Sequence, residues 1–260
     1  MPDAILLGEG GGDRVQKLAV IVPCYTNVST RFLVNFVELV RGIDVDCPLE
    51  IMTGPYVAQS MRHAISDLKK DSTWERILVV EQDMILPREA FVKHSLHTDD
   101  IVGSVYFQHA PPHYLNIMFR HPTLNRLAHA TPKAVKMMLD TPALYKCAVV
   151  GLGCTSIARR VVEEWPADLA MFRTDYVHDE ADDGASHGEI SHDVWLCDHA
   201  DALGFGVYLD SSIRCDHLTE GWVNEGHFLA IHAAELADAP DTTPHIYVPN
   251  REQRRHPVHV

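Results

Sequence analysis

The sequence predicts a single α/β domain with a mostly parallel central sheet flanked by helices. Apolar, β-branched runs alternate with segments whose apolar residues recur at helical spacing. The runs show little apolar–polar alternation, which is typical of strands buried on both faces of a parallel sheet. The length of 260 residues and the hydrophobic content of 46% suit one domain with a substantial core.

The first strand is expected at residues 18–22, an apolar run that ends at Pro23. Residues 29–41 follow with apolar positions at i, i+3 and i+4 spacing, and Ser29 is suited to cap the start of that helix. A buried strand followed by an amphipathic helix is the opening unit of an α/β sheet.

Two further strand–helix units follow. The second strand is expected at residues 49–52, before the Gly54–Pro55 turn and a helix over residues 57–69. The third covers residues 77–80 and runs directly into Glu81, Gln82 and Asp83. Three such units in about seventy residues indicate a Rossmann-like half.

The rest of the chain continues the α/β pattern less regularly. We expect a helix at 90–97, strands at 101–107 and 147–150, a strand-to-helix passage at 156–164, a helix at 193–203 and a final strand at 206–209. The proline-rich stretch 108–142 is interpreted as loops over the sheet, and 174–190 as an acidic loop containing histidine. Residues 1–16 are expected to form a flexible leader and 240–260 a C-terminal tail.

Composition argues against several classes of protein. There is no apolar run of about eighteen residues and no pattern of a signal peptide, which favours a cytoplasmic location. Six cysteines without a C-x-x-C pair predict reduced thiols, and seventeen histidines occur without an H-E-x-x-H motif. The formal charge of −14 disfavours polyphosphate backbones, although Arg251, Arg254 and Arg255 form a small basic cluster.

The residues that follow the predicted strands are the first candidates for chemistry. In an open parallel sheet, ligands bind beyond the carboxyl ends of the strands, which selects residues 23–27 and 81–83. Glu81 and Asp83 lie two residues apart, so their carboxylates point the same way along an extended chain. Such a pair suits Mg²⁺ or Mn²⁺, which accept hard oxygen ligands and leave positions for phosphate oxygens.

Five segments, in order, resemble the GT-A glycosyltransferases that use nucleotide sugars. They are LAVIVPCY at 18–25, MRHA at 61–64, EQD at 81–83, VGLGC at 150–154, and SHDVWLC at 191–197 followed by ALGF at 202–205. The EQD segment is similar to the aspartate-x-aspartate element of that family. The resemblance covers residues 18–218 and is closest to compact, family 2-like enzymes of phages and bacteria.

The resemblance implies a GT-A-like fold and a metal-dependent transfer of sugar from a nucleoside-diphosphate sugar, with a UDP-sugar favoured. Residues 17–107 would form the nucleotide-binding half and residues 108–239 the acceptor half. Asp83 would bind Mn²⁺ or Mg²⁺ at the donor diphosphate, with His217 as a further metal ligand. The remaining donor contacts implied are Pro23, Tyr25, Arg62, Glu81, Gln82 and Gly153.

On the acceptor side, the resemblance implies that Asp193 deprotonates the incoming hydroxyl in an inverting reaction. General-base catalysis requires a proton acceptor at that oxygen as it attacks the anomeric carbon. His192 stands where the family usually has glutamate. The acceptor classes in such enzymes include modified bases of DNA, proteins and glycans.

Two other readings remain open on the sequence, and a third is disfavoured. His192, Asp193, Asp198 and His199 would supply two imidazoles and two carboxylates to a metal-dependent hydrolase. The substitution at His192 is also compatible with a nucleotide- or glycan-binding module that has lost turnover. A nucleotidylyltransferase would need a glycine-rich loop with Lys or Arg directly after the first strand, which residues 23–27 lack.

Overall fold

The computed structural model describes residues 15–24, 28–42, 49–53, 56–120, 126–178, 187–218 and 222–238. The helices are α1 (Thr30–Gly42), α2 (Val57–Leu68), α3 (Ala90–Leu96), α4 (Pro132–Asp140), α5 (Arg159–Glu164), α6 (His192–Ala202), α7 (Glu225–Ile231) and α8 (Ala233–Asp238). The strands are β1 (Leu18–Cys24), β2 (Leu49–Thr53), β3 (Arg76–Val80), β4 (Met84–Ile85), β5 (Ile101–Val105), β6 (Ile117–Arg120), β7 (Leu127–His129), β8 (Leu144–Lys146), β9 (Val149–Val150), β10 (Cys154–Ala158), β11 (Asp175–His178), β12 (His187–Ile190), β13 (Val207–Arg214), β14 (Asp216–Leu218) and β15 (Trp222–Val223).

The central sheet has seven strands in the order β2-β1-β3-β10-β5-β13-β8. Strands β1, β2 and β3 pair in parallel, as do β5 and β13, whereas β10 and β8 run antiparallel to their neighbours. The predicted α/β class with a mostly parallel sheet is therefore confirmed. Because β10 is antiparallel to both β3 and β5, the carboxyl ends of those two strands lie at the same edge of the sheet.

The two faces of the sheet carry separate parts of the core. Alternate side chains of β3 divide between them, with Ile77 and Val79 on the face covered by α2 and α4–α6, and Leu78 and Val80 on the face covered by α1 and α3. All of β1 and β3 is buried, which is why these strands read as continuous apolar runs.

The stretch 108–142 is more ordered than predicted. It contains β6, β7 and α4, and β6 pairs with both β7 and β9 in a small antiparallel sheet. The prolines suggested loops, yet Pro132 lies at the first turn of α4, where a missing backbone N–H costs nothing. The Thr131 side chain caps this helix by accepting a hydrogen bond from Ala134 N at 3.3 Å.

Other differences between the predicted and the observed elements lie after residue 146. The predicted final strand at 206–209 continues as β13 to Arg214, and β14, β15, α7 and α8 follow it. Within the predicted loop 174–190, β11 and β12 form an antiparallel pair. Residues 147–150 contribute only β9, in the small sheet with β6. Residues 1–14 of the predicted leader and all of the predicted tail, 240–260, lie outside the described residues.

Two further features that composition bears on are the state of the cysteines and the length of the apolar helices. In the part of the chain that the structure describes, five cysteines are free and buried: Cys24, Cys147, Cys154, Cys197 and Cys215. No helix among the described residues is long and apolar enough to cross a membrane.

Candidate functional site

The carboxyl end of β3 leads into the turn that carries the predicted acidic pair. Glu81 donates its backbone N–H to Gly153 O at 2.9 Å, and the chain then turns into β4. Strand β14 pairs with β4 so that His217 faces Met84, and Leu218 N donates to Asp83 O at 2.7 Å. This small sheet brings His217 beside Asp83, across 134 positions of sequence. His217 thus lies within β14.

Three potential metal ligands converge at this edge of the sheet. Asp83 Oδ2 is 3.3 Å from His217 Nε2 and 3.5 Å from His109 Nε2, and the two Nε2 atoms are in direct contact. The ligand atoms all lie within 4.8 Å of one another. Two imidazoles and one carboxylate with their ligand atoms this close together are suited to a divalent transition metal.

The hydrogen bonds around these side chains fit a metal ligand set. His217 Nδ1 is 2.7 Å from Phe107 O, a carbonyl that accepts its proton and thereby leaves the Nε2 lone pair directed at the cluster. Asp83 Oδ1 is buried and has no hydrogen-bond partner among the described residues. A buried carboxylate with an unpartnered oxygen is costly, and a cation bound to the same carboxylate would offset part of that cost.

The pKa shifts of Asp83 and His109 also favour metal binding. Burial alone would raise the pKa of Asp83, but the hydrogen bond and charge of His217, together with the charge of His109, outweigh burial and lower that pKa. Burial, followed by the proximity of His217, lowers the pKa of His109. An ionised carboxylate beside a readily deprotonated imidazole is the state that metal binding requires.

His109 was not predicted from the sequence. It lies on the loop after β5, where an isolated bridge joins Phe107 to Leu115 and Gln108 N donates to Tyr114 O at 2.9 Å. His109 lies in the predicted loop region 108–142. The rule that selected Asp83 also applies here, because His109 follows a buried strand whose carboxyl end shares the same edge.

Tyr106 is a buried residue that packs against the cluster of Asp83, His109 and His217. Its ring meets that of His217 edge-on at 5.4 Å, and its hydroxyl accepts hydrogen bonds from Gly153 N at 2.9 Å and from the side chain of Asn116. Burial, and then the charges of Glu81 and Asp193, raise the pKa of Tyr106 well above its ordinary value. Both acids are therefore within electrostatic reach of the phenol, which stays neutral.

The predicted glycine turn packs against this tyrosine. A Cβ on Gly153 would lie 2.8 Å from Tyr106 Cζ, and one on Gly151 would lie 1.8 Å from Asn116 Nδ2 and 2.1 Å from Tyr106 Oη. Both positions thus require glycine for close approach. The sugar contact expected of Gly153 remains a prediction.

We expect Gly151→Ala to destabilise the protein by about 2–3 kcal/mol, because the added methyl group must displace the Asn116–Tyr106 pair. Chemical denaturation followed by circular dichroism measures the change. Gly226→Ala is the control, since its nearest atom is 3.2 Å away. Equal stabilities for the two variants would contradict this account of the turn.

The predicted base, Asp193, lies in the first turn of α6. Its Oδ1 accepts hydrogen bonds from Val194 N at 2.9 Å and from Ser191 Oγ. Ser191 occupies the position before the helix. The neighbouring His192 has its Nε2 3.8 Å from Glu81 Oε1, so the start of α6 adjoins the turn after β3.

The remaining predicted donor contacts are distributed around the sheet. Pro23 is buried in β1, and Gln82 is half-buried in the turn between Glu81 and Asp83. Arg62 is exposed on α2, and its guanidinium donates a hydrogen bond to Phe172 O at 2.6 Å. The guanidinium therefore already has a partner within the protein. Tyr25 lies outside the described residues.

The ligand set of the alternative hydrolase is not assembled. Asp198 is exposed and pairs with Arg120 at 2.5 Å, while His199 Nδ1 is 2.9 Å from Trp195 O. His192 and Asp193 approach Glu81 and Ser191 instead. Within the described ranges, the cluster of potential metal ligands is Asp83, His109 and His217, and none of the four α6 residues belongs to it. His192 and His199 are seven residues apart, so about two helical turns separate them along the axis of α6.

Comparison with known proteins gives only distant similarities. No family model and no curated protein matches the chain. Among solved structures, A197 from STIV has a TM-score of 0.48 at 16% identity, with 79% of this chain and 93% of that chain covered. The inositol-1-phosphate CTP transferase from T. maritima has a TM-score of 0.43 at 9% identity, with coverages of 86% and 100%.

A third solved structure, GalNAc-T7 with UDP, GalNAc and Mn²⁺, has a TM-score of 0.45 at 8% identity. The match covers 85% of this chain and 48% of that chain. At these TM-scores and identities, none of the three likenesses assigns an activity to this protein.

Proposed function

We propose that this protein is a metal-dependent glycosyltransferase that moves a sugar from a nucleoside-diphosphate donor, with UDP-sugars favoured, to a hydroxyl acceptor. The observation that carries the proposal is the convergence of Asp83, His109 and His217 at the carboxyl edge of a mostly parallel sheet. The ordered resemblance of residues 18–218 to GT-A glycosyltransferases supports the same assignment.

Asp83 Oδ2, His109 Nε2 and His217 Nε2 would hold the divalent metal. When bound, Mn²⁺ or Mg²⁺ neutralises the negative charge that accumulates on a departing diphosphate. The Phe107 carbonyl orients the His217 ring through Nδ1, which keeps Nε2 available as a ligand. Two imidazole ligands favour Mn²⁺ over Mg²⁺, because Mg²⁺ prefers oxygen donors.

The acceptor would approach from the start of α6. Its hydroxyl oxygen forms a bond to the anomeric carbon, and the bond from that carbon to the diphosphate oxygen breaks with its electron pair on the diphosphate. The hydroxyl proton passes to the carboxylate of Asp193, which Ser191 and Val194 N hold in position through Oδ1. A single displacement of this kind inverts the configuration at carbon.

Glu81, Gln82 and the end of β1 at Pro23, with Tyr25 beyond it, would contact the nucleoside. The Gly151–Gly153 turn would border the transferred sugar, beside Tyr106. Arg62 would reach a phosphate only by leaving the Phe172 carbonyl. The acceptor classes that we consider are a modified DNA base, a protein and a glycan, as in the compact phage and bacterial enzymes that the sequence resembles.

Calorimetric titration of UDP and the other nucleoside diphosphates, with and without Mn²⁺, tests this proposal. We expect one nucleoside diphosphate, with UDP favoured, to bind only when the metal is present, and the matching nucleotide sugar to be hydrolysed slowly with water as acceptor. The absence of binding by every nucleoside diphosphate in both conditions would overturn the proposal. Metal-dependent binding without sugar release or transfer would instead indicate a binding module that has lost turnover.

A further inference from the structure

His232 is a buried histidine that the proposed chemistry does not use. It caps the C-terminus of α7, its exposed fraction is only 3%, and its ring packs against Phe228 at a centroid distance of 4.6 Å. It lies at the junction of α7 and α8 and is not a member of the metal cluster. A buried imidazole is expected to have hydrogen-bond partners that explain its presence.

Both ring nitrogens of His232 have such partners. Nε2 is 2.9 Å from Pro112 O, and Nδ1 is 3.2 Å from Glu235 Oε1 on α8. The carbonyl of Pro112 accepts a hydrogen bond from the ring, across 120 positions of sequence. His232 therefore connects the C-terminal helices to the loop between Phe107 and Leu115.

That loop carries His109, three residues before Pro112. Its two ends are joined by the bridge between Phe107 and Leu115, and its interior by hydrogen bonds from His113 N to Ala110 O and between His113 Nδ1 and Gln108 O, at 2.9 and 2.8 Å. His113 adopts a left-handed backbone conformation, with φ of 54°. The internal bonds shape the loop, whereas the bond from His232 ties it to the body of the protein.

His109 is the most exposed of the three ligands. Its side chain is 44% exposed, against 36% for Asp83 and 11% for His217. Asp83 and His217 are held by the pairing of β4 with β14, but His109 depends on the conformation of its loop. Of the three ligands, His109 is thus the one whose position a remote contact can control.

We propose that His232 is a positioning residue that holds the loop so that His109 completes the metal centre. This inference rests on the proposed metal site but not on the identity of donor or acceptor. Removing the donor at His232 frees Pro112 and lets His109 leave the cluster, while Asp83 and His217 stay in place. Groups that hydrogen-bond directly to a metal ligand are typically worth about 10–100-fold in metal affinity, and a contact that acts through the loop is expected at the lower end of that range.

The experiment uses Co²⁺ alone as the probe, on the full chain. Calorimetry gives the Co²⁺ affinity, and paramagnetic proton NMR counts the shifted imidazole N–H resonances of coordinated histidines. We expect two such resonances in the unmodified protein and one in His109→Ala. His232→Phe preserves ring packing but removes both ring nitrogens, so it should bind Co²⁺ about tenfold more weakly and lose the His109 resonance. His232→Gln, which retains an N–H near Pro112 O, should restore both.

His227→Gln is the matched control, because His227 is an exposed histidine on the same helix. Glu235→Ala provides a second test that does not disturb the core, since this side chain is 62% exposed, and it should weaken Co²⁺ binding in the same direction. The inference is overturned if folded His232→Phe keeps both resonances and unmodified affinity, or if Glu235→Ala and His227→Gln are indistinguishable. Absence of Co²⁺ binding by the unmodified protein would instead remove the metal site and the proposed function with it.

Discussion

Asp83→Asn is expected to abolish the Mn²⁺-dependent binding of nucleoside diphosphate, with a loss of at least about 100-fold in affinity, or about 2.8 kcal/mol. Asp83 supplies the anionic ligand in a cluster whose other members are imidazoles. The amide has nearly the same shape but no charge, so the metal loses its strongest electrostatic partner. Calorimetry with and without Mn²⁺ measures the loss.

The control for this prediction is Asp201→Asn, which removes one carboxylate from an exposed position on α6. It lowers the net negative charge by the same amount, so any general effect of charge on nucleotide binding appears in both variants. Asp201→Asn is expected to bind as the unmodified protein does. A folded Asp83→Asn protein that retains metal-dependent nucleotide binding would exclude Asp83 as the centre of the site.

Asp193→Asn is expected to reduce transfer by about 10²–10⁴-fold while donor binding changes by less than about twofold. An asparagine oxygen still accepts the hydrogen bonds from Val194 N and Ser191 Oγ, so the first turn of α6 is preserved. The amide does not take up a proton at neutral pH. Release of nucleoside diphosphate from the donor sugar at saturating Mn²⁺ measures the turnover, and calorimetry measures donor affinity.

His192→Gln is the companion variant for this prediction. His192 is adjacent to Asp193 and has its Nε2 near Glu81, so it is the other proton acceptor at the start of α6. We expect His192→Gln to retain most of the turnover that Asp193→Asn loses. The reverse result, with full turnover in Asp193→Asn and loss in His192→Gln, would assign the base to His192 and contradict our prediction.

The central fold was predictable because its signal is local. The strands β1 and β3 lie between two layers of helices, so every residue in them is apolar or buried, and that requirement is visible as an unbroken run. Helix α4 was missed for a local reason as well. Prolines are strong breakers in most contexts, and Pro132 was interpreted as one although it occupies the first helical turn.

The site was predictable only in part. Asp83 was identified because it directly follows an apolar strand, and His217 because of a family resemblance. His109 was missed because its role depends on a hairpin-like loop after β5 whose path the sequence does not reveal. The alternative cluster on α6 looked plausible as a list of residue types, but Arg120 and Trp195 engage two of its members.

The sequence by itself determined the α/β class, the order of the first three strand–helix units and the position of the acidic turn, since each depends on neighbouring residues. Only the tertiary structure decided which histidines meet Asp83. The pairing of β14 with β4 brings His217 to Asp83 across 134 positions of sequence. The loop after β5 brings His109 into contact with His217 across 108 positions. Composition and periodicity carry no information on such distances, because strand pairing between remote segments is set by the packing of the whole sheet.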